Sequence, residues 1–311
     1  ISQYKYIQQG NYMKYLLMGE SQVSAVGLGT WQFGEPGWGW GSELDYETAI
    51  KMVHRALELG INFFDTAEVY GSGKSEEILG EALEGLREQA FIATKVAPPL
   101  RPDRIMRSAS ESLRRLKVEV IDLYQLHAPD RNVPLERTMR AIRKLLDEGY
   151  IRQVGVSNFT LQQWQQAEEI LGSPIISNQV QYHLLNRQAS NLLPYAHDTD
   201  KVVTAFSPLA QGLLSGKYGF DNVPRDLRAN FGIFNDDSLR RVPEILNVLS
   251  EVAGHHQSTP AQVALAWLLL DSQVMVIPGA RTIEQIEFNA RSSDLKLTPG
   301  ETMMIDRVTR V

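Results

Sequence analysis

The chain has 311 residues, 43% of them hydrophobic and 22% charged, with a formal net charge of −6 and an isoelectric point near 5.6. That is enough apolar material for a sizeable core, and the acidic balance leaves no electrostatic footprint for nucleic acid or an anionic membrane. Cysteine is absent, which excludes a disulfide framework, a Cys-ligated metal and a thiol nucleophile.

Residues 1–12, rich in Gln and Tyr, precede Met13 and lack the apolar core of a signal peptide. They read as a leader ahead of a native start, with residues 13–311 forming one domain and the cytoplasm as the default location. Lys14–Val26 carries Gly19-Glu20-Ser21 between apolar flanks, the pattern of a hairpin ahead of the main fold, placed to plug its base. Short apolar runs then alternate with amphipathic stretches: Val23–Leu28, Ile61–Asp65, Ala90–Lys95, Val120–His127, Gln153–Ser157, Ser177–Gln181, Lys201–Phe206 and Val274–Ile277. Eight such runs, each leading to a helical pattern, predict an α/β fold of the (β/α)8 TIM-barrel type.

Between the runs, Tyr46–Leu59 places Ala49, Ile50, Val53, Ala56 and Leu57 on one face at period 3.6, with Gly60 as the residue that ends the helix. Thr160 with Gln163, and Thr282 with Gln285, read as capping boxes. Thr259-Pro260 reads as N-cap and first helical residue of a helix reaching Leu270. The segment Gln211–Arg241, after the seventh run, has Gly, Pro, Asn and Asp scattered through it and reads as a long loop, which is usually functional or mobile. A doubly wound open sheet is the competing architecture. It wants Gly-x-Gly-x-x-Gly after the first strand, and Gly27-Leu28-Gly29 is followed by Thr30-Trp31-Gln32. No apolar run approaches the ~20 residues of a membrane span.

Working residues of a barrel lie at the C-terminal ends of its strands. The second run ends at Asp65, with Tyr70 in the loop beyond it; the third ends at Lys95 and the fourth at His127. Singly, each has a structural explanation: a turn cap, a solvated charge, a histidine beside a proline turn. Together they are coherent, because Asp65 and Lys95 on adjacent strands can neutralise each other. An ammonium beside Tyr70 is expected to lower its pKa from about 10, making it a proton donor to a carbonyl oxygen. Trp31, Trp38 and Trp40, in a glycine-rich loop after the first run, suit the wall of an apolar substrate pocket with Tyr70 and His127; such a loop equally suits a lid.

Phe64-Asp65-Thr66-Ala67-Glu68-Val69-Tyr70-Gly71 with Ser75-Glu76, Asp122-Leu123-Tyr124-Gln125-Leu126-His127, and Gly155-Val156-Ser157-Asn158-Phe159 together resemble the aldo-keto reductase superfamily. The likeness runs from about Val23 to Asn289 and is nearest to a bacterial and plant branch with Ile-Pro-Gly-Ala near its end, which includes pyridoxal-reductase-like and potassium-channel-β-like members. The resemblance implies NADPH-dependent reduction of a small carbonyl compound, with Tyr70 as general acid, Asp65 and Lys95 tuning it, and His127 orienting the substrate. No metal is implied.

The resemblance also places Ser157, Asn158 and Gln179 on the nicotinamide carboxamide and Phe206 under the ring, a position where the family more often has Tyr. Gly29, Thr30, Trp31, Asp65, Ser207, Pro208, Leu209, Gln211, Gly212 and Lys217 are placed along the dinucleotide. Gly279, Ala280, Arg281, Gln285 and Asn289 are placed at its far end. From the residues alone, Ser157 and Asn158 also suit a turn with an N-cap, and Phe206 suits core. Many relatives have Lys at position 279 and Arg at position 285, so Arg281 is the cation left to grip the 2′-phosphate of NADPH. Lys217, Arg225 and Arg228 are candidates for the phosphates, the two arginines reading more readily as solvated charges. The family suggests a monomer or small homo-oligomer. Two rivals stand beside the reductase reading: a slow-turnover, channel-β-like regulatory subunit that binds NADPH, and a barrel hydrolase or isomerase without a dinucleotide.

Overall fold

The structure is a computed structural model that describes residues 13–310; the expected leader at 1–12 lies outside the described residues. The chain opens with an antiparallel hairpin, β1 (Tyr15–Met18) and β2 (Ser21–Ser24). It covers the N-terminal end of the barrel: Ser24 N donates to Asn62 Oδ1 at 2.7 Å, Asn62 Nδ2 donates to Gln22 O at 2.9 Å, and Tyr15 Oη donates to Gly60 O at 2.8 Å.

Eight parallel strands follow: β3 (Leu28–Gly29), β4 (Phe63–Asp65), β5 (Phe91–Val96), β6 (Ile121–Leu126), β7 (Ile151–Ser157), β8 (Ile175–Gln181), β9 (Val202–Phe206) and β10 (Val274–Ile277). Neighbours in sequence are neighbours in the sheet. The cylinder closes through parallel bridges Val26↔Val276 and Gly29↔Gly279. Both faces of each strand are covered, so the strands read as near-continuous apolar runs rather than alternating ones; Phe91 to Val96 is buried throughout. One expected strand is divided. Val23 and Ser24 pair in the hairpin, while Leu28 and Gly29 start the barrel, because the chain must turn from the base into the cylinder between them.

Eight helices flank the strands: α1 (Tyr46–Glu58), α2 (Lys74–Ala82), α3 (Pro102–Leu116), α4 (Leu135–Asp147), α5 (Leu161–Leu171), α6 (Leu193–Asp198), α8 (Pro260–Leu268) and α9 (Ile283–Arg291); α7 (Asp236–His255) and α10 (Pro299–Thr309) are additional and pack on each other. At the end of α1, Gly60 has φ 82°, its N–H donates to Leu57 O, and Ile61 N–H donates to Ala56 O, both at 2.9 Å; this pair of bonds satisfies carbonyls left open by the helix end. Thr160 and Thr259 each cap their helix with a reciprocal box, to Gln163 and Gln262. The Thr282–Gln285 box is only half formed: Thr282 accepts from Gln285 N, but the Gln285 side chain reaches one residue further back, to Arg281 N.

The long loop after β9 is shorter than its composition suggests. It ends at Asn235, whose side chain accepts from Ser238 N at 2.9 Å and starts α7. That helix tolerates Pro243 while burying Leu239, Val242, Ile245 and Leu249 along one face. Among the described residues no helix is long and apolar enough to cross a membrane.

The α2–α3 contact fixes the loop that leads into α2. A Cβ at Gly80 would lie 2.6 Å from Arg115 O and from Leu116 C, both backbone atoms. Gly80→Ala gains about 1 kcal/mol of helix propensity but forces the helices apart at a cost of about 1–3 kcal/mol. We expect a lower thermal midpoint by calorimetry; a higher one would contradict this packing.

Candidate active site

Lys95 is fully buried near the top of β5, and its ammonium spends all three protons: on Asp65 Oδ1 at 2.6 Å, Thr66 O at 2.9 Å and Tyr70 Oη at 3.2 Å. The other oxygen of Asp65 accepts from Gln179 Nε2 at 2.7 Å and Gln125 Nε2 at 3.3 Å. Side chains from four strand ends or the loops beyond them therefore meet at one carboxylate. Burial, the largest single influence, lowers the Lys95 pKa, but Asp65 and Tyr70 together, through charge and hydrogen bonds, outweigh it and hold it above its ordinary value.

The loop between Asp65 and α2 is braced at both ends. The Thr30 hydroxyl donates to Asp65 O at 3.0 Å and lies 2.7 Å from Ser75 Oγ, to which Thr66 Oγ1 also donates at 2.9 Å. Buried Glu76 accepts from Thr94 Oγ1 at 2.5 Å and Arg115 Nε at 2.7 Å. Glu68 accepts from Ala97 N at 2.8 Å, from Arg104 Nη2 at 2.5 Å, and from Ser108 Oγ. Tyr70 stands between these anchors, next to Gly71 and Ser72, both with left-handed backbone.

Two electrostatic consequences follow. Burial raises the Tyr70 pKa, and the nearby Lys95 charge opposes this only in part; the expected lowering does not occur, because desolvation of a phenolate outweighs one neutralised ammonium. The phenol thus holds its proton. His127 is pushed down to about 3, first by burial and then by Lys95, so its imidazole is neutral. Its ring meets that of Tyr70 edge-on with centroids 5.7 Å apart, and its buried Nδ1 has no partner.

Above these groups, Trp31 stacks on Tyr70 (centroids 5.8 Å, 27°) and meets Trp38 edge-on at 5.1 Å. Phe231, from the loop after β9, stacks on Trp38 at 6.0 Å and closes the wall. Trp40 is instead packed against the core. From this wall a cavity of ≈ 660 Å³ runs past His127, Ser157, Asn158, Gln179 and Phe206 to Ser207, Pro208, Leu209, Gln211, Gly212 and Lys217. Its far end is lined by Gly279, Ala280, Arg281, Gln285 and Asn289, with Gly29 and Asp65 on its floor. Thr30 and Lys95 do not line it. Thr30 is fully buried among Asp65 and Ser75, and Lys95 lies beneath Asp65.

The cavity suits an elongated dinucleotide. Gln179 commits its amide nitrogen to Asp65, which leaves its carbonyl oxygen as an acceptor. Close backbone approach is enforced at Gly29, where a Cβ would lie 3.0 Å from Ile277 O. Asn158, Ser207 and Gln211 have φ of 61°, 49° and 58°, non-glycine strain of the kind that persists where surroundings hold a binding surface in place. Asn158 Nδ2 donates to His127 O and Ser157 Oγ, each at 3.1 Å, tying the tops of β6 and β7 together.

Gln125 and Phe231, which support the site without lining the cavity, escaped the sequence reading. Gln125 carried a signal, since period-2 alternation puts it on the same strand face as Leu123 and in register with Lys95. Phe231 carried none, because loop folding brings it in. Arg228 is buried, ion-paired to Asp226 and set over Trp38 at 5.5 Å and Tyr218 at 5.0 Å, not solvated as expected; Arg225 is exposed. A second cavity, ≈ 540 Å³ at the opposite end of the barrel, is lined by Arg87, Asp122 and Arg152, but Asp122 pairs with Arg87 at 2.6 Å and Arg152 at 3.4 Å.

Comparison with known proteins fits this geometry. The model of the aldo/keto reductase family matches residues 25–310. An uncharacterised oxidoreductase of Mycobacterium bovis is 46% identical over 92% of this chain and 90% of its own. A methylglyoxal reductase of Escherichia coli is 34% identical over 93% of this chain and 92% of its own. A solved aldo/keto reductase of Klebsiella pneumoniae, in complex with NADP and acetate, is 30% identical with a TM-score of 0.78, covering 95% of each chain. The fold and site thus define an NAD(P)-dependent oxidoreductase on a (β/α)8 barrel. The chain belongs to the aldo/keto reductase family.

Gln125 donates to Asp65 but does not line the cavity. Replacing it by Leu removes one hydrogen bond to a charged acceptor, about 1.5 kcal/mol. The expected result is a roughly tenfold lower kcat with unchanged dinucleotide affinity; wild-type kcat would show that Gln179 and Lys95 alone orient the carboxylate.

Proposed function

We propose that the chain reduces aldehydes and ketones to alcohols with NADPH, Tyr70 supplying the proton. The observation that carries the reading is the bond from Lys95 Nζ to Tyr70 Oη, with Asp65 behind it and the neutral His127 ring alongside. Bound in the cavity, the nicotinamide supplies hydride to the carbonyl carbon, chemistry that belongs to the cofactor.

The residues do the rest. Tyr70 and His127 frame the place for the carbonyl oxygen, both as hydrogen-bond donors. As negative charge develops there, Tyr70 gives up its proton and the Lys95 ammonium stabilises the phenolate left behind. That stabilisation is absent while the phenol is neutral, so it acts on the transition state and not on substrate binding. Asp65 keeps Lys95 charged and aimed. Ser157, Asn158 and the free carbonyl of Gln179 would hold the carboxamide, Phe206 would offer the nicotinamide ring an aromatic face, and Arg281 would receive the 2′-phosphate. Trp31, Trp38 and Phe231 favour an apolar or aromatic substrate and exclude water from the reacting atoms.

Tyr70→Phe should reduce kcat by at least about 10²-fold, the contribution of general acid catalysis, while NADPH binds as before. The assay is loss of reduced-nicotinamide absorbance with aldehydes from 4-nitrobenzaldehyde and methylglyoxal to pyridoxal. Retained turnover would remove Tyr70 from the chemistry; tight NADPH binding without turnover in the wild type would favour a regulatory subunit.

The pH dependence follows from the two shifted groups. His127, pushed down to about 3, stays neutral throughout the accessible range, and Tyr70, pushed up, stays protonated. Reductive kcat should therefore be flat from about pH 5 to 9 and fall only as the phenol ionises. A limb near the ordinary histidine value of about 6.5 would contradict it. Arg281→Ala should weaken NADPH far more than NADH; equal losses would move 2′-phosphate recognition elsewhere.

A further inference from the structure

Arg281 is not a free cation. Its guanidinium Nη1 is hydrogen-bonded to the carboxylate of Glu43, from the glycine-rich loop after β3, and its side chain is only 11% exposed against 62% for Glu43. The contact is close around the loop: a Cβ at Gly39 would lie 3.4 Å from Arg281 Nη1 and 3.2 Å from Glu43 Cβ. A second pair stands beside it. Asp226 accepts from Arg228 Nε at 2.8 Å and from Arg228 Nη2. The two pairs act on each other: Arg228, and more weakly Arg281, hold the Asp226 carboxyl below its usual value, and Glu43 is among the groups that raise Arg228. Two carboxylates and two guanidiniums, from the loops after β3, β9 and β10, thus form a neutral cluster at one end of the cavity, which Arg281 and Arg228 line.

We propose that Glu43 is a specificity-determining residue that competes with the cofactor's 2′-phosphate for Arg281 and so narrows the preference for NADPH over NADH. The inference rests on the reading of Arg281 given above. A phosphate brings one to two negative charges to a guanidinium already neutralised, and must displace Glu43 or sit against it. Like charges brought together in this way are a means of rejecting a partner. NADH carries no 2′-phosphate and leaves the Glu43–Arg281 pair intact. With Gly at position 279 and Gln at position 285, neither of those positions adds a cation to offset Glu43. The side chain of Gln285 is itself occupied by Arg281 N at 2.8 Å.

The test is equilibrium binding by calorimetry of NADPH, NADH, adenosine 2′,5′-bisphosphate and adenosine 5′-phosphate. The proteins are the wild type, Glu43→Gln, Arg281→Ala and the double variant. Glu43→Gln should tighten NADPH and the bisphosphate about tenfold and leave NADH and the monophosphate within about twofold. The tightening should vanish in the Arg281→Ala background. If Glu43→Gln leaves the NADPH-to-NADH ratio unchanged, or weakens NADPH, while Arg281→Ala still selectively weakens NADPH, the competition proposal fails and the Arg281 reading stands. If Arg281→Ala weakens both dinucleotides equally, both fail.

Discussion

A lysine ammonium with no solvent exposure must be neutralised where it sits, and this barrel is built around doing so for Lys95. Desolvating a charge costs several kcal/mol even after the protein relaxes, and removing one partner of a buried pair costs about 3–5 kcal/mol because the other is stranded. The pair therefore imposes a layout. Asp65 must end β4, Lys95 must lie at the top of the adjacent β5, and the second oxygen of Asp65 must be met by the amides of Gln125 and Gln179. The loop from Asp65 to Ser75 must then stay in place, which the Thr30, Ser75 and Thr66 hydroxyls and the Glu76 and Glu68 ion pairs ensure. Tyr70 receives the last proton of the ammonium only because this scaffold is fixed.

The charges at the other end of the cavity work differently. Glu43, Arg281, Asp226 and Arg228 are held by loops, and Glu43 is largely in water. The Glu43–Arg281 pair, whose carboxylate is exposed, is of the weak kind and can be exchanged for a ligand's charge at modest cost, whereas Arg228 and Asp226 are held more deeply. The molecule thus separates a rigid, fully buried ion pair behind Tyr70 from a loop-held charge cluster along the cavity. The aromatic wall joins the two regions: Arg228 lies over Trp38, Trp38 meets Trp31, and Trp31 stacks on Tyr70.

The barrel was legible because parallel strands covered on both faces leave short apolar runs, and because Thr160, Thr259 and Gly60 mark helix ends by local chemistry. The convergence of Asp65, Tyr70, Lys95 and His127 was legible because their strand-end positions are local facts and the fold brings those ends together. What failed involved competing terms of similar size or non-local contacts. The direction of the Tyr70 pKa depended on whether burial or Lys95 prevailed, and sequence reports only the second. The start of α7 was hidden by Pro243 among turn-forming residues. Phe231, Arg228 and Glu43 enter the cavity region through loop folding, for which no periodic signal exists; Thr30 left it because its hydroxyl was needed beneath Asp65.

The most direct test separates the structural from the chemical role of the buried pair. Asp65→Asn combined with Lys95→Met removes both charges at nearly unchanged volume, so neither is left stranded in the interior. The expected double variant folds cooperatively, binds the dinucleotide, and turns over aldehydes at least about 10²-fold more slowly. A folded double variant that reduces aldehydes at the wild-type rate would contradict a chemical role for the pair.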